Sequence, residues 1–97
     1  MRTMLKILMP VGTGNRAYKD GTLGQLFESF MEKYKPESAY FYPENGKRAA
    51  LFVFDMPDPT HIPPVAEKFF SGLDAEVYLT PVMNAEDLKA GIQKTKQ

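Results

Sequence analysis

Three tyrosines and a lysine have spacings that would place them together on one surface of a β-sheet. Tyr40 and Tyr42 lie two residues apart and share a face if both are in a strand, while Tyr78 and Lys6 occur in two other strand-like stretches. Phenol groups beside an ammonium group could line a pocket for an aromatic or partly apolar ligand. The alternative is packing between subunits, where tyrosine is generally enriched. We favour the interface and keep all four side chains as candidate ligand contacts.

A glycine-containing segment, from Gly12 to Ala17, matches the loose pattern Gly-x-Gly-x-x-Ala of dinucleotide-binding loops. That pattern needs a helix N-terminus directly behind it to hold a pyrophosphate, and the first clear helix signal here comes only at Thr22. We therefore interpret residues 10–21 as a long loop and not as a dinucleotide site. In this loop Arg16 and Lys19 could hold a carboxylate or phosphate of a ligand, or they could simply be solvated.

The one histidine, His61, follows Asp55 and Asp58 at intervals of three residues. Carboxylate and imidazole groups bind metals, but a site needs three side chains aimed at one point, which spacing in a loop rarely supplies. Asp58 precedes Pro59, and this pair is a usual signal for a turn or a helix cap. We therefore predict no metal and no other cofactor. Histidine suits acid–base work near neutral pH, so His61 is kept as a candidate ligand contact without an identified partner.

The charge and cysteine content argue against several classes of function. Twelve Lys and Arg residues balance twelve Asp and Glu, so no net charge attracts nucleic acid or an anionic membrane. The chain contains no cysteine, which excludes disulfides, thiol catalysis and cysteine-ligated metals. The first apolar run is interrupted by Lys6 and Pro10 and is too short for a signal sequence or a membrane span. We expect a cytoplasmic protein with a single domain over residues 1–97 and no nucleic-acid or membrane partner.

The elements that must position these residues are organised around the stretch from Lys47 to Asp55. Its consecutive apolar residues, Ala50 to Phe54, predict a strand that is buried on both faces and therefore central. Asn45 and Gly46 predict a two-residue hairpin turn to a preceding strand. That turn pairs Glu44 with Lys47 and fixes the register. Alternate residues of the hairpin are then expected to form one wholly apolar face and one mixed face.

Amphipathic helices and further strands complete the pattern. Thr22 and Gln25 predict a capping box at the start of the first helix, and Gly72 is a plausible stop for the second. The predicted strands are Met4–Met9, Ser38–Tyr42, Lys47–Asp55 and Ala75–Thr80, and the predicted helices are Thr22–Lys35, Pro63–Leu73 and a short one capped by Asn84.

The order β-α-β-β-α-β with a C-terminal helix predicts an α+β, ferredoxin-like fold. Two right-handed β-α-β units would give a four-stranded antiparallel sheet in the order 4-1-3-2, with both long helices on one face. The other face would carry large apolar side chains that a monomer leaves exposed to water. We therefore expect a homodimer whose sheets face each other across a partly polar interior. The residues expected on this face are Met4, Lys6, Leu8, Tyr40, Tyr42, Leu51, Val53, Tyr78 and Thr80.

In the order of its elements the chain resembles the dimeric α+β barrel superfamily. The local similarities are Phe52 to Asp55, Ala66 to Phe70 and Pro81 to Leu88. They are similar to an uncharacterised bacterial subgroup near the stress-responsive A/B barrel proteins and the antibiotic-biosynthesis-type monooxygenases. The resemblance implies a homodimer with a pocket in its interior or between sheet and helices. The tryptophan expected in haem-degrading members has no counterpart here.

Three functions are compatible with these observations, and none of them identifies a substrate. The first is a homodimer that binds a small, partly apolar ligand in a tyrosine-lined cavity. The second is a cofactor-independent monooxygenase or isomerase that acts on an aromatic or polyketide-like molecule in the same cavity. The third is a purely structural interaction module. A thermal shift on addition of aromatic acids would favour the first two functions. Turnover of such a molecule under oxygen would favour the second function alone.

Overall fold

A computed structural model of the chain describes residues 1–96, which contain both helices and strands. None of the helices in this range is long and apolar enough to cross a membrane. A short 3-10 turn, Pro59–His61, precedes the third α-helix. The elements are β1 (Arg2–Leu8), α1 (Val11–Asp20), α2 (Thr22–Tyr34), β2 (Ser38–Glu44), β3 (Lys47–Asp55), α3 (Ile62–Leu73), β4 (Glu76–Pro81) and α4 (Ala85–Lys94).

The four strands form one antiparallel sheet in the order β2-β3-β1-β4. This is the predicted order read from the other edge, and it fits the ferredoxin-like arrangement. Asn45 and Gly46 turn the hairpin with φ values of 52° and 75°, the positive values that a two-residue turn requires. Glu44 pairs with Lys47 and Tyr42 with Ala49, so the predicted register is confirmed.

The prediction of a loop over residues 10–21 is wrong, because Val11–Asp20 is the helix α1. Glycine, threonine and asparagine disfavour helix by propensity, but Gly14 and Ala17 are buried in this one, so packing overrides the local preference. The Gly-x-Gly pattern therefore lies inside a helix. The capping box predicted at Thr22 is also absent. The Thr22 N–H donates to Asp20 Oδ1 instead, at 2.9 Å, across a bend at Gly21.

Helices α2 and α3 cover one face of the sheet with aromatic rings. The ring centroid of Phe30 lies 4.8 Å from that of Phe52, 5.2 Å from Phe54 and 6.0 Å from Phe69. Offset and edge-on pairs at such distances add to the hydrophobic stabilisation of a core. Phe52, Phe54 and Phe69 are almost completely buried. The predicted apolar face therefore lies under the helices.

Gly72 has a different role from the predicted one. Helix α3 continues to Leu73 and ends at Asp74, which adopts a left-handed conformation with φ of 50°. A β-carbon on Gly72 would lie 2.8 Å from Leu26 Cδ1, so this glycine lets α3 approach α2 closely. It permits packing between helices and does not end one.

Helix α4 lies apart from the other three. Its predicted cap is confirmed, since Asn84 and Asp87 form a reciprocal capping box. Leu88 and Ile92 on its apolar stripe are 48% and 47% exposed. The radius of gyration of 15.3 Å exceeds the roughly 13 Å of a compact chain of this size, with a longest extent of 54 Å. The apolar stripe of α4 thus remains largely in contact with water in one copy of the chain.

Candidate functional site

A hydrogen-bonded network on the helix-free face joins residues of three strands. Lys6 Nζ donates to Glu44 Oε2 at 3.0 Å, and the Tyr42 hydroxyl donates to Glu44 Oε1 at 3.1 Å. Lys6 Nζ also lies 5.1 Å from the ring centroid of Tyr78, a favourable cation–π distance. The Tyr78 hydroxyl in turn donates to Glu76. We call these five residues the Lys6 network.

Strand alternation and register explain why the network assembles. Lys6 is directly opposite Tyr78 in β4, so their side chains share a face. Tyr42 and Glu44 are two residues apart in β2, and so are Glu76 and Tyr78 in β4, which puts each phenol beside a carboxylate. Lys6 and Glu44 side chains are only 29% and 28% exposed. The ion pair is therefore partly shielded from water even in a single chain.

The contacts shift the pKa values of the network in opposite directions. The hydrogen bond from Lys6, followed by that from Tyr42, lowers the pKa of Glu44, and the hydrogen bond to Glu44 raises the pKa of Lys6. Loss of hydration raises the pKa of Tyr42, and the hydrogen bond to Glu76 raises the pKa of Tyr78. At neutral pH the network therefore presents the Lys6 ammonium, the Glu44 carboxylate and two neutral phenols. Its groups can donate and accept hydrogen bonds.

Tyr40 lies on the same face but outside the network. It is opposite Leu51 in the register, as is Lys6 on the other side of β3. Its side chain is 62% exposed and that of Tyr78 is 44% exposed. We call this side of the sheet the tyrosine face. It comprises Met4, Lys6, Leu8, Tyr40, Tyr42, Leu51, Val53, Tyr78 and Thr80.

Arg16 and Lys19 lie on α1 and not in a loop. Arg16 Nη2 donates to Thr13 Oγ1 at 3.3 Å, and the Thr13 hydroxyl donates to Asp74 at 3.0 Å. Arg16 lines a shallow depression together with Asp20 and Asp74. The carboxylates beside Arg16 offset its positive charge. This surface therefore attracts an anionic ligand less strongly than the sequence suggested.

His61 has a partner that the sequence did not identify. Its Nδ1 is 2.9 Å from the hydroxyl of Tyr34, which packs against Phe30 in the core. Asp58 caps the turn that carries His61 by accepting a hydrogen bond from the Thr60 N–H at 2.8 Å. Within residues 1–96, no three His, Cys, Asp or Glu side chains are arranged to hold a metal ion. The interaction of His61 thus joins the start of α3 to α2.

A second candidate site, which is concave, lies on the helix-covered side between the β2–β3 hairpin and the helices α1 and α2. We call it the hairpin cleft. It has a volume of about 780 Å³, within the range of small-molecule sites. The resemblance implied a pocket in the interior or between sheet and helices, but the residues of this cleft were not predicted because one wall is α1, which was interpreted as a loop. Its lining includes Met9, Val11, Tyr18, Leu23, Phe27, Phe41, Lys47 and Arg48.

Comparison with known proteins does not extend this description. The chain matches no protein-family model, no curated protein and no solved structure. Arguments about function therefore depend on the two sites described above.

Proposed function

We propose that this protein is a homodimer that binds a small, partly apolar molecule between the tyrosine faces of its two sheets. The observation that carries the proposal is the Lys6 network, a shielded ion pair flanked by two phenols on a face that no helix covers. Polar groups held in fixed positions among apolar ones are the usual composition of a ligand site. In a dimer related by a two-fold axis, two copies of the network would face one cavity.

Exposed apolar area supports the role of a second copy. Tyr40 and Tyr78 stand in water beside the half-buried Leu51 and Val53, while the opposite side of the same strands is closely packed. The stripe on α4 is equally uncovered. Exposed apolar side chains grouped on one face often mark an interface. A second sheet would cover the tyrosine face, and we expect the exposed stripe of α4 to contact that second subunit as well.

The chemistry of the network favours binding over catalysis. A lowered pKa makes Glu44 a weak general base, and raised pKa values keep both phenols protonated near neutral pH. Lys6 has three N–H donors and uses one for Glu44, which leaves donors for a carbonyl oxygen of a ligand. The rings of Tyr40 and Tyr78 would contact its apolar part. We expect an aromatic molecule with a carbonyl or hydroxyl group.

Oligomeric state is the first test. Sedimentation equilibrium should return twice the 11.0 kDa mass of the chain. Tyr40→Arg adds a charge within the proposed interface and should return the monomer with unchanged circular dichroism. Gln25→Arg makes the same charge change on the exposed surface of α2 and should leave the dimer intact. A monomeric wild type at all concentrations used would overturn the proposal.

Ligand binding is the second test. Titration with 2-naphthol, a neutral aromatic alcohol, should shift amide resonances of β1, β3 and β4. Tyr78→Phe and Lys6→Met should weaken this response while the sedimentation mass stays that of a dimer. If both variants keep the full response, the tyrosines serve the interface alone, and the protein is better described as an interaction module.

A further inference from the structure

We infer that the hairpin cleft binds an amphiphilic carboxylate, a small molecule with one carboxylate group and a hydrocarbon or aromatic body. The cleft opens on the helix-covered side of the sheet, and among the residues of the tyrosine face named above Tyr42 also lines it. The inference therefore goes beyond the proposed function and does not require a dimer. It depends on the apolar walls, on Arg48 and on the absence of acidic groups from the lining.

The walls of the cleft are mainly apolar and partly uncovered. Phe41 packs one side of its ring against Phe27, with 5.3 Å between ring centroids, yet it remains 54% exposed. Val11, at the first turn of α1, is half exposed across the cleft. Aromatic and aliphatic surface in a concave site gains free energy when a ligand's apolar part displaces water from it. This part of the site selects a hydrocarbon or aromatic body.

Arg48 supplies a cation in a fixed position. Its Nη1 donates to Asn15 Oδ1 at 2.8 Å, and its Cζ lies 5.7 Å from the ring centroid of Tyr18. The Arg48 carbonyl accepts a hydrogen bond from the Met9 N–H at 3.2 Å, which anchors the backbone. A guanidinium group has five N–H donors in a planar fork. Most of them remain free to bind both oxygens of a carboxylate.

The charge around Arg48 is not compensated. In the part of the chain that the structure describes, ion pairs within 4.0 Å involve the N-terminus, Arg2 and Lys6, and neither Lys47 nor Arg48 takes part. No Asp or Glu is among the residues that line the cleft. Arg48 beside apolar walls complements a single negative charge on an apolar molecule. A polyphosphate would find too few cations here and too much apolar surface.

Gly14 explains how Arg48 reaches this position. A β-carbon on Gly14 would lie 3.1 Å from Arg48 Nη1 and 3.3 Å from Met9 Cγ, closer than side chains normally pack. The guanidinium therefore lies directly against the backbone of α1. The second glycine of the Gly-x-Gly segment thus gives an arginine access to the surface of a helix. This gives the glycine pattern a role that does not involve a dinucleotide.

Binding of octanoate compared with octan-1-ol tests the inference. The two probes share a chain length and differ in charge, so octanoate should bind the wild type more tightly in an isothermal titration. Arg48→Met should lower the affinity for octanoate about tenfold to a hundredfold, which is the effect expected for loss of a charged, bidentate contact. The affinity for octan-1-ol should not change. Lys89→Met removes the same charge from α4 and should change neither affinity. Equal binding of both probes, or no effect of Arg48→Met, would overturn the inference.

Two further variants guard against a failure of Arg48→Met to fold. Gly14→Ala should displace the Arg48 side chain and lower the affinity for octanoate without changing the affinity for octan-1-ol. Phe41→Asp places a carboxylate on an exposed wall and should abolish octanoate binding. Amide resonances that shift with octanoate should lie in α1 and the hairpin, and should still shift in Lys6→Met. A lower sedimentation mass for Phe41→Asp would instead mean that a second copy of the chain covers the cleft, which would also overturn the inference.

Discussion

The two faces of the sheet are built from the same strands and have opposite properties. On β3, Ala50, Phe52 and Phe54 point under the helices and are buried, whereas the intervening Leu51 and Val53 point away and are half-buried. The helix-covered face is filled by aromatic rings from β3, α2 and α3. The tyrosine face has hydrogen bonds and an ion pair on its surface and no helix above it.

This difference separates the face that is packed within a single chain from the face that remains accessible to another molecule. Burial of phenylalanine within one chain stabilises the fold whether or not a partner molecule is bound. Tyrosine, lysine and glutamate can remain in water, but they also suit a surface that another molecule covers. We therefore expect substitutions on the covered face to change folding, and substitutions on the tyrosine face to change association and binding.

The largest effect should come from Phe52→Ala. The ring of Phe52 contacts those of Phe27, Phe30 and Phe41, so its loss leaves a cavity at the centre of the core. The free energy of unfolding should fall by about 3–5 kcal/mol, as in other truncations of buried phenylalanine. Urea denaturation followed by circular dichroism should give this loss at every protein concentration. A loss below about 1 kcal/mol would contradict the described packing.

Leu51→Ala, on the adjacent residue and the opposite face, should have a smaller effect of a different kind. It should weaken dimerisation by about 1–2 kcal/mol, since most of its remaining apolar area would be buried by the partner. The wild-type unfolding midpoint should rise with protein concentration, and Leu51→Ala should shift this dependence to higher concentrations. If its midpoint changes equally at all concentrations, the tyrosine face is not an interface.

Asn84→Ala should affect α4 alone. Removal of the capping box should cost about 1 kcal/mol of local helix stability. Amide exchange in Ala85–Lys94 should become faster, while exchange in β1 and β3 should not change. Asn84→Ser keeps a side-chain acceptor and serves as the control. Equal acceleration throughout the sheet would mean that α4 is packed more tightly than its exposure indicates.

Acid titration should produce the smallest effect. Because the folded-state pKa of Glu44 is lowered, its interactions stabilise the protein above the ordinary glutamate pKa and are lost as pH falls through the lowered value. Side-chain carbon NMR should show Glu44 titrating below the ordinary glutamate pKa, and Lys6→Met should move this midpoint upward. As a control, Lys89→Met should leave the midpoint of Glu44 unchanged. An unchanged midpoint in Lys6→Met would contradict the ion pair.

Much of the fold follows from local signals in the sequence. Asn45 and Gly46 determine one turn, and that turn assigns each residue of β2 and β3 to a face. Helix α1 could not be predicted in the same way. It forms because Gly14 and Ala17 fit against neighbouring elements, and that complementarity is absent from the local sequence.

The candidate sites were predictable in part. Lys6, Tyr42 and Tyr78 were expected on one face and do lie together. Glu44 and Glu76 were not predicted as site residues, although each lies two residues from one of the tyrosines and so had to share its face. The hydrogen bond between Tyr34 and His61 joins two elements distant in sequence. No spacing rule could reveal it.

The hairpin turn gives both sites a common mechanical support. Within a few residues of Gly46, β2 and β3 supply Tyr42 and Glu44 to one side of the sheet and Phe41 and Arg48 to the other. An insertion or deletion in the turn would shift the pairing of the strands and rearrange both sites at once. Single substitutions can therefore change one candidate site and leave the other intact. A change in the length of this turn alters both candidate sites together.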